Sequence, residues 1–177
     1  MKIERIWAMP NKWTFTIKPI AELLREEVIG GRWCDPFAGK NSPAEVKNDI
    51  KTELPVEYHM DALTFLKGWR EEYFDGVLYD PPYSITQARM YGKKEFSSMK
   101  YWADVKNEIA RILKPGGKAL CFGWTSMGLG KNRGFEMKRI LLVPHGGSKN
   151  DTIVTVETKS DPLVIPTKCN RGNIKFK

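Results

Sequence analysis

The stretch Phe74-Asp75-Gly76-Val77-Leu78-Tyr79-Asp80-Pro81-Pro82-Tyr83 decides how this chain folds. Residues 74–79 read as a short apolar strand. Two prolines directly after it remove two backbone donors and stiffen the turn. The carbonyls of Asp80 and Pro81 are left free to accept. An acidic side chain, rigid carbonyls and an aromatic ring therefore converge at the end of one strand. Such a set suits a planar substrate bearing an NH2 group. The carboxylate and a carbonyl each accept one N–H, while the ring of Tyr83 stacks on the face.

Outward from this stretch, the same unit recurs: a short apolar run that ends at an acidic or turn residue. Arg32-Trp33-Cys34 leads into Asp35-Pro36, Val46 lies before Asn48-Asp49, and Val56-Glu57-Tyr58-His59 leads into Asp61. Helical patterns lie between the runs. Residues 19–28 place Ile20, Leu23, Leu24 and Val28 at helical spacing, with Pro19 in the first turn and Gly30-Gly31 as the stop. Residues 101–113 place Trp102, Val105, Ile109, Ile112 and Leu113 on one side and stop at Lys114-Pro115-Gly116-Gly117. Residues 118–124 read as a buried strand. Residues 135–144 and 152–158 are two long runs joined by a Gly-rich turn, an antiparallel pair added to the sheet. The alternation predicts an α/β fold with a mostly parallel, doubly wound sheet and an antiparallel C-terminal strand pair. Its ligand site is expected at the carboxyl ends of the strands. Asp35, Asp49, Asp61 and Asp80 fall there, one per strand.

The 177 residues predict a single domain, with a core over about 14–158 and a basic tail over 166–177. A hydrophobic fraction of 41% with 28% charged residues is globular and not disordered. No apolar run approaches ~18 residues, which argues against a membrane span. Met1 to Pro10 carries charges where a signal peptide needs an apolar stretch. Cys34, Cys121 and Cys169 are odd in number and widely spaced, which suits reduced thiols in the cytoplasm and neither a disulfide framework nor a metal site. Lys plus Arg is 29 against 21 Asp plus Glu, a net charge of +8 that points to a polyanionic partner such as nucleic acid.

Asp80-Pro81-Pro82-Tyr83 resembles the catalytic motif of amino-directed DNA methyltransferases, which methylate N6 of adenine or N4 of cytosine. Asp35-Pro36-Phe37-Ala38-Gly39 is similar to the family's cofactor motif, usually D-P-F-x-G-x-G after the first strand. Residues 14–24, with Ile17-Lys18-Pro19, resemble the segment that caps the methionine end of the cofactor. The resemblance covers residues 7–157 and is closest to small phage-type adenine-specific methylases with no separate recognition domain. It implies a Rossmann-like methyltransferase fold and S-adenosylmethionine as cofactor. It places Lys18, Pro19, Asp35, Pro36, Phe37, Ala38, Gly39 and Asn41 around the cofactor. It places Asp49 at the ribose hydroxyls, and Asp61 and Ala62 at the cofactor adenine. Asn41 departs from the pattern, because the family has a second glycine there. Asn is the best non-glycine residue at positive φ.

The implied reaction is methylation of adenine N6 in DNA, with Asp80, Pro81, Pro82 and Tyr83 as the catalytic set. The base must leave the duplex, with Tyr83 replacing the lost stacking. Cytosine-N4, RNA adenine and protein glutamine methylation are the enzyme alternatives. A DNA-binding or partner subunit with a degraded cofactor site is the non-enzyme alternative. Residues 84–100 carry Arg89, Lys93, Lys94 and Lys100 with interleaved aromatics, a loop expected to grip DNA phosphates. Lys131 and Arg133, in a second basic loop, are expected to flank the flipped base. With no room for a recognition domain, specificity is expected from loops or a dimer partner, in a monomer or homodimer. His145 reads as a turn residue, His59 as a packed strand residue, and Cys34 and Cys121 as core. Trp7, Trp13 and Phe15 read equally as core or as a wall of the site.

Overall fold

The computed structural model describes residues 1–83, 98–147 and 150–161. Arg89, Lys93, Lys94 and the tail 166–177 lie outside the described residues. The strands are β1 (Lys2–Arg5), β2 (Trp33–Asp35), β3 (Val46–Lys47), β4 (Phe74–Tyr79), β5 (Leu113–Gly123), β6 (Phe135–Val143) and β7 (Thr152–Lys159). The helices are α1 (Lys18–Glu27), α2 (Ala62–Lys67) and α3 (Met99–Ile112), with short 3-10 turns at Thr14–Thr16 and Lys131–Arg133.

These strands form one sheet in the order β1-β6-β7-β5-β4-β2-β3. Only β7 runs against its neighbours, pairing antiparallel with both β5 and β6. The antiparallel pair added to a parallel sheet is therefore present. Strand β2 has β3 on one side and β4 on the other. The chain thus reverses its winding at β2, which opens a crevice beyond the carboxyl ends of β2 and β4. Asp35 ends β2, and Asp80 follows β4.

The apolar stripes of the helices bury the two faces of the sheet. Ile20, Leu23 and Leu24 of α1 join Leu78, Leu120, Leu141 and Val154 on one face. Phe65 and Leu66 of α2 join Val105, Ile109 and Ile112 of α3, with Val77 and Ala119, on the other. Gly76 sits where β4 crosses the Trp33 ring of β2; a Cβ there would lie 2.3 Å from the ring.

One strand goes unforeseen in the sequence, and two local expectations differ from the structure. Residues 2–5 form an edge strand, paired parallel with β6. Three of its four residues are charged, so no apolar run announces it, and Arg139 of β6 supplies the reason it stays. The guanidinium binds Glu4 at 2.5 Å, Glu26 at 2.6 Å and Glu27 at 3.4 Å, tying β1 and α1 to the sheet. Around Tyr58 the expected strand is reduced to one bridge with Asn48, and His59 is exposed rather than packed. Finally, Lys114-Pro115-Gly116-Gly117 does not separate helix from strand. It is absorbed as an irregularity in β5, whose register with β4 shifts between Phe74 and Gly76.

Candidate active site

Asp80 emerges from the sheet at the crevice. Tyr83 folds back so that its Oη donates to Asp80 Oδ1. Thr14, from the 3-10 turn before α1, places its hydroxyl 3.5 Å from the same phenol. Burial pushes the Asp80 carboxyl up to about 6, with hydrogen bonds from Tyr83 and Thr14 pulling it down. Burial and the adjacent carboxylate hold the Tyr83 phenol above its ordinary range, so it stays a donor. Its ring meets Trp124, at the end of β5, edge-on at 5.7 Å.

The turn after β2 is built on Asp35, which is fully buried. One carboxylate oxygen accepts the Phe37 N–H at 2.9 Å and the other accepts the Ser42 hydroxyl at 2.7 Å. Burial pushes this carboxyl up to about 8 against those two bonds, and the charges of Asp80 and Asp49 add to the rise. Asp49 accepts from the Gly39 N–H at 3.1 Å and the Lys51 N–H at 3.0 Å. Gly39 has φ +54°, a left-handed conformation that glycine adopts without strain. Among the described non-glycine residues only Glu72 has positive φ. Asn41 therefore takes an ordinary backbone conformation, and position 41 makes no demand for glycine on that ground.

Asn48, also fully buried, staples three segments together. Its side-chain amide donates to Pro36 O and Met60 O, both at 3.0 Å, and its Oδ1 accepts from Met60 N at 3.1 Å. Asp61 caps α2 by accepting the Thr64 N–H at 3.1 Å, and its second oxygen accepts the Tyr101 hydroxyl at 2.8 Å. It thereby fixes α2 to α3.

Three hollows meet at this place. A narrow slot is lined by Pro36, Phe37, Asp49, Ile50, Met60, Ala62, Asp80, Pro82 and Trp102. A more polar cleft of about 330 Å³ includes Lys12, Trp13, Thr14, Ala38, Gly39, Lys40, Asn41, Asp49 and Asp80. An aromatic pocket of about 380 Å³ includes Tyr79, Pro81, Pro82, Tyr83, Trp102, Lys106 and Trp124. Asp80 borders the first two, while Pro82 and Trp102 border the first and third. The cleft has the size usual in small-molecule sites, and the slot, of about 50 Å³, adjoins it at Asp80.

The structure thus brings Asp80, Pro81, Pro82 and Tyr83 together with Pro36, Phe37, Ala38, Gly39, Asn41, Asp49 and Ala62. Asp35 and Asp61 stand behind this lining and shape it through hydrogen bonds. Lys18 is exposed at the start of α1, Pro19 is buried, and neither borders a hollow. Trp13 and the buried Phe15 both line the polar cleft, while Trp7 is exposed. Among the basic residues, Lys100 pairs with Asp104 at 2.8 Å. Lys131 is exposed. Arg133 turns inward to Asn107 Oδ1 at 2.8 Å and Leu129 O at 2.9 Å. His145 is buried, bonded through its two ring nitrogens to Ala8 O at 2.9 Å and the Thr152 hydroxyl at 2.8 Å. Cys34 and Cys121 are buried, as expected.

Sequence reasoning passed over Lys12, Lys40, Lys106 and Trp124 as lining residues, and Asn48 as the staple. Only Lys106 carries a readable signal. It lies four residues after Trp102 and three before Ile109, so it interrupts the apolar stripe of α3 with a charge.

No family model and no curated protein sequence matches the chain. Solved structures do. TrmN from Thermus thermophilus superposes with a TM-score of 0.56 at 19% identity, over 81% of this chain and 49% of that one. The chain thus spans about half the length of that protein. The 1,6-didemethyltoxoflavin-N1-methyltransferase of Burkholderia thailandensis, solved with 1,6-didemethyltoxoflavin and S-adenosylhomocysteine, gives 0.58 at 14% identity, over 80% and 76%. The N-methyltransferase NodS of Bradyrhizobium japonicum WM9 gives 0.55 at 10% identity, over 81% and 96%. The fold is a Rossmann-like methyltransferase fold.

Proposed function

We propose that this protein transfers a methyl group from S-adenosylmethionine to N6 of an adenine flipped out of DNA. The observation that carries the reading is the meeting of three hollows at Asp80-Pro81-Pro82-Tyr83. A donor in the slot and cleft and an acceptor in the aromatic pocket would face each other across this motif.

The residues fit the cofactor. The slot offers Phe37, Ile50, Ala62 and Trp102 to a flat purine, and Asp49 lies beside it for ribose hydroxyls. The cleft offers Lys12 and Lys40 to a carboxylate at the methionyl end. Bound there, S-adenosylmethionine supplies an electrophilic methyl on a sulfonium centre. The chain's own residues prepare the nucleophile. The exocyclic amine of adenine is weak because its lone pair is delocalised into the ring. Asp80 and the Pro81 carbonyl each accept one N–H, drawing the nitrogen toward tetrahedral geometry and freeing the lone pair. Tyr83 holds the base by stacking, and the buried setting strengthens the polar contacts. Asp80 need not be a strong base, because the nitrogen loses a proton readily only once it is methylated.

The test is incubation of unmethylated plasmid DNA with the protein and S-adenosylmethionine, followed by nucleoside mass spectrometry. N6-methyladenine is expected, and Asp80→Ala is expected to abolish it while leaving DNA affinity largely intact. Full activity in Asp80→Ala would remove Asp80 from the mechanism. N4-methylcytosine, product on RNA alone, or no binding of S-adenosylmethionine at millimolar concentration in calorimetry would overturn the reading.

A further inference from the structure

We propose that Lys106 is a specificity-determining residue, donating a hydrogen bond from its ammonium to a ring nitrogen of the base whose amine is methylated. The inference rests on the proposed function and sharpens it. It requires the substrate to carry an acceptor in the same ring system as the reacting amine.

Lys106 borders the aromatic pocket together with Pro81, Pro82, Tyr83 and Trp124. Among the described residues it is the one cation in that lining. It comes from the inward face of α3, between the buried Val105 and Ile109. Its ammonium is held from two sides. Nζ donates to Gly128 O at 2.7 Å, and it lies 6.0 Å from the centre of the Tyr79 ring. The carbonyl takes one of three N–H bonds, and no other hydrogen bond of Nζ is found among the described residues. Gly128 is itself fixed. A Cβ there would lie 2.2 Å from the buried Glu157 carboxylate, which accepts the next two N–H groups, Leu129 at 2.6 Å and Gly130 at 3.1 Å. The lysine is therefore anchored on a rigid carbonyl with donors to spare at the pocket.

The pocket otherwise offers aromatic faces, proline rings, acceptors and neutral donors, among them the Tyr83 phenol, which is committed to Asp80, and the exposed Trp124 and Thr125. These recognise a flat amine but do not separate one ring from another. A fixed donor adds that discrimination, because adenine presents imine nitrogens that accept. Burial also lowers the affinity of Lys106 for its proton, so a bound ring acceptor would relieve part of the desolvation of the ammonium. A purely structural lysine, serving only Gly128 O, would affect all substrates alike.

The experiment measures kcat/KM of the wild type and of Lys106→Met on DNA synthesised with adenine, 1-deazaadenine, 3-deazaadenine or 7-deazaadenine. On adenine DNA the variant is expected to fall about 10- to 100-fold, the loss of one charge-assisted hydrogen bond. On one deaza substrate the wild-type to variant ratio is expected to collapse toward one, since the acceptor is already gone. Lys106→Arg, which keeps the donor, should recover part of the rate. The same ratio on all four substrates, or an unimpaired Lys106→Met, overturns the proposal. A variant that merely unfolds loses activity on every substrate alike and leaves the ratio uncollapsed, which overturns it too. If the wild type methylates RNA and not DNA, the DNA reading fails, and the ratio is read on transcripts made with the corresponding deazaadenosines. No product on either nucleic acid overturns both.

Discussion

Asp80 and Tyr83 share one hydrogen bond, and the proposed reaction needs each of them elsewhere. The carboxylate must turn to the substrate amine, and the ring must present its face. Tyr83→Phe separates the two roles, because it keeps the ring and removes the donor. Asp80 is the stronger acceptor when ionised, and a proton on it puts a donor against the substrate amine, so activity should fall as pH drops through about 6. Removing the Tyr83 donor removes a bond that lowers this value. The acid limb of kcat/KM should then move up by about one pH unit, the worth of one hydrogen bond. An unmoved limb would mean that the phenol does not tune Asp80. Asp35 makes a separate prediction, on stability. Its folded-state value of about 8 exceeds the ordinary 3.8, so the native state holds the proton more tightly. That contribution is complete below pH ~4 and is lost as pH rises through about 8. Asp80 shares the lower part of this window, so the segment from pH ~6 to ~8 belongs to Asp35. Thermal melts of Asp35→Asn should show a flatter Tm there than wild type; an equal slope would place the dependence elsewhere.

At the scale of elements, two contacts set the crevice. The first is Gly76 against Trp33, which lets β4 lie close to β2 so that Asp35 and Asp80 end side by side. Gly76→Ala should cost about 1–3 kcal/mol by overpacking, read as a lower denaturant midpoint with an unchanged slope. No loss would mean that the ring shifts freely. The second is Asp61, which caps α2 and holds Tyr101 of α3. Asp61→Ala removes the cap and the cross-helix bond, with an expected loss of about 1–2 kcal/mol. It also releases Ala62 and Trp102 at the slot, so S-adenosylmethionine affinity should fall with it. The elements themselves were largely legible. Strands β4, β5, β6 and β7 and helices α1 and α3 all follow from runs and stripes of apolar residues. Strand β1 was not, because Lys2, Glu4 and Arg5 break any apolar pattern, and only the reach of Arg139 shows why the strand is held.

For the whole molecule, the +8 charge is expected to act through phosphate contacts. Each phosphate neutralised steepens the salt dependence of binding, so affinity for random duplex DNA should fall about tenfold or more between ~50 and ~200 mM salt if two or more are engaged. Binding that ignores salt would leave the basic excess unexplained. Some of the cations are already committed inside the fold. Lys100 faces Asp104, Arg133 serves Asn107 and Leu129, and Arg139 serves three glutamates, so phosphate contacts fall to other basic residues.

The sequence by itself determined the layered α/β plan and the position of the motif at a strand end. Both follow from local patterns, apolar period and proline stiffness, that act over a few residues. It also picked out Pro36, Phe37, Ala38, Gly39, Asp49, Asp80 and Pro82 in the lining of the slot and cleft, since each lies within a few residues of a strand end. Tertiary structure alone decided which carboxylates face the hollows and which brace them. Asp35 and Asp61 spend their oxygens on nearby N–H and hydroxyl groups, whereas among the described residues Asp80 meets Tyr83 and Thr14, the latter 66 positions away. It decided too that Lys106 looks into the aromatic pocket, because a charge in an apolar stripe finds its partners only when the far loop carrying Gly128 folds over it.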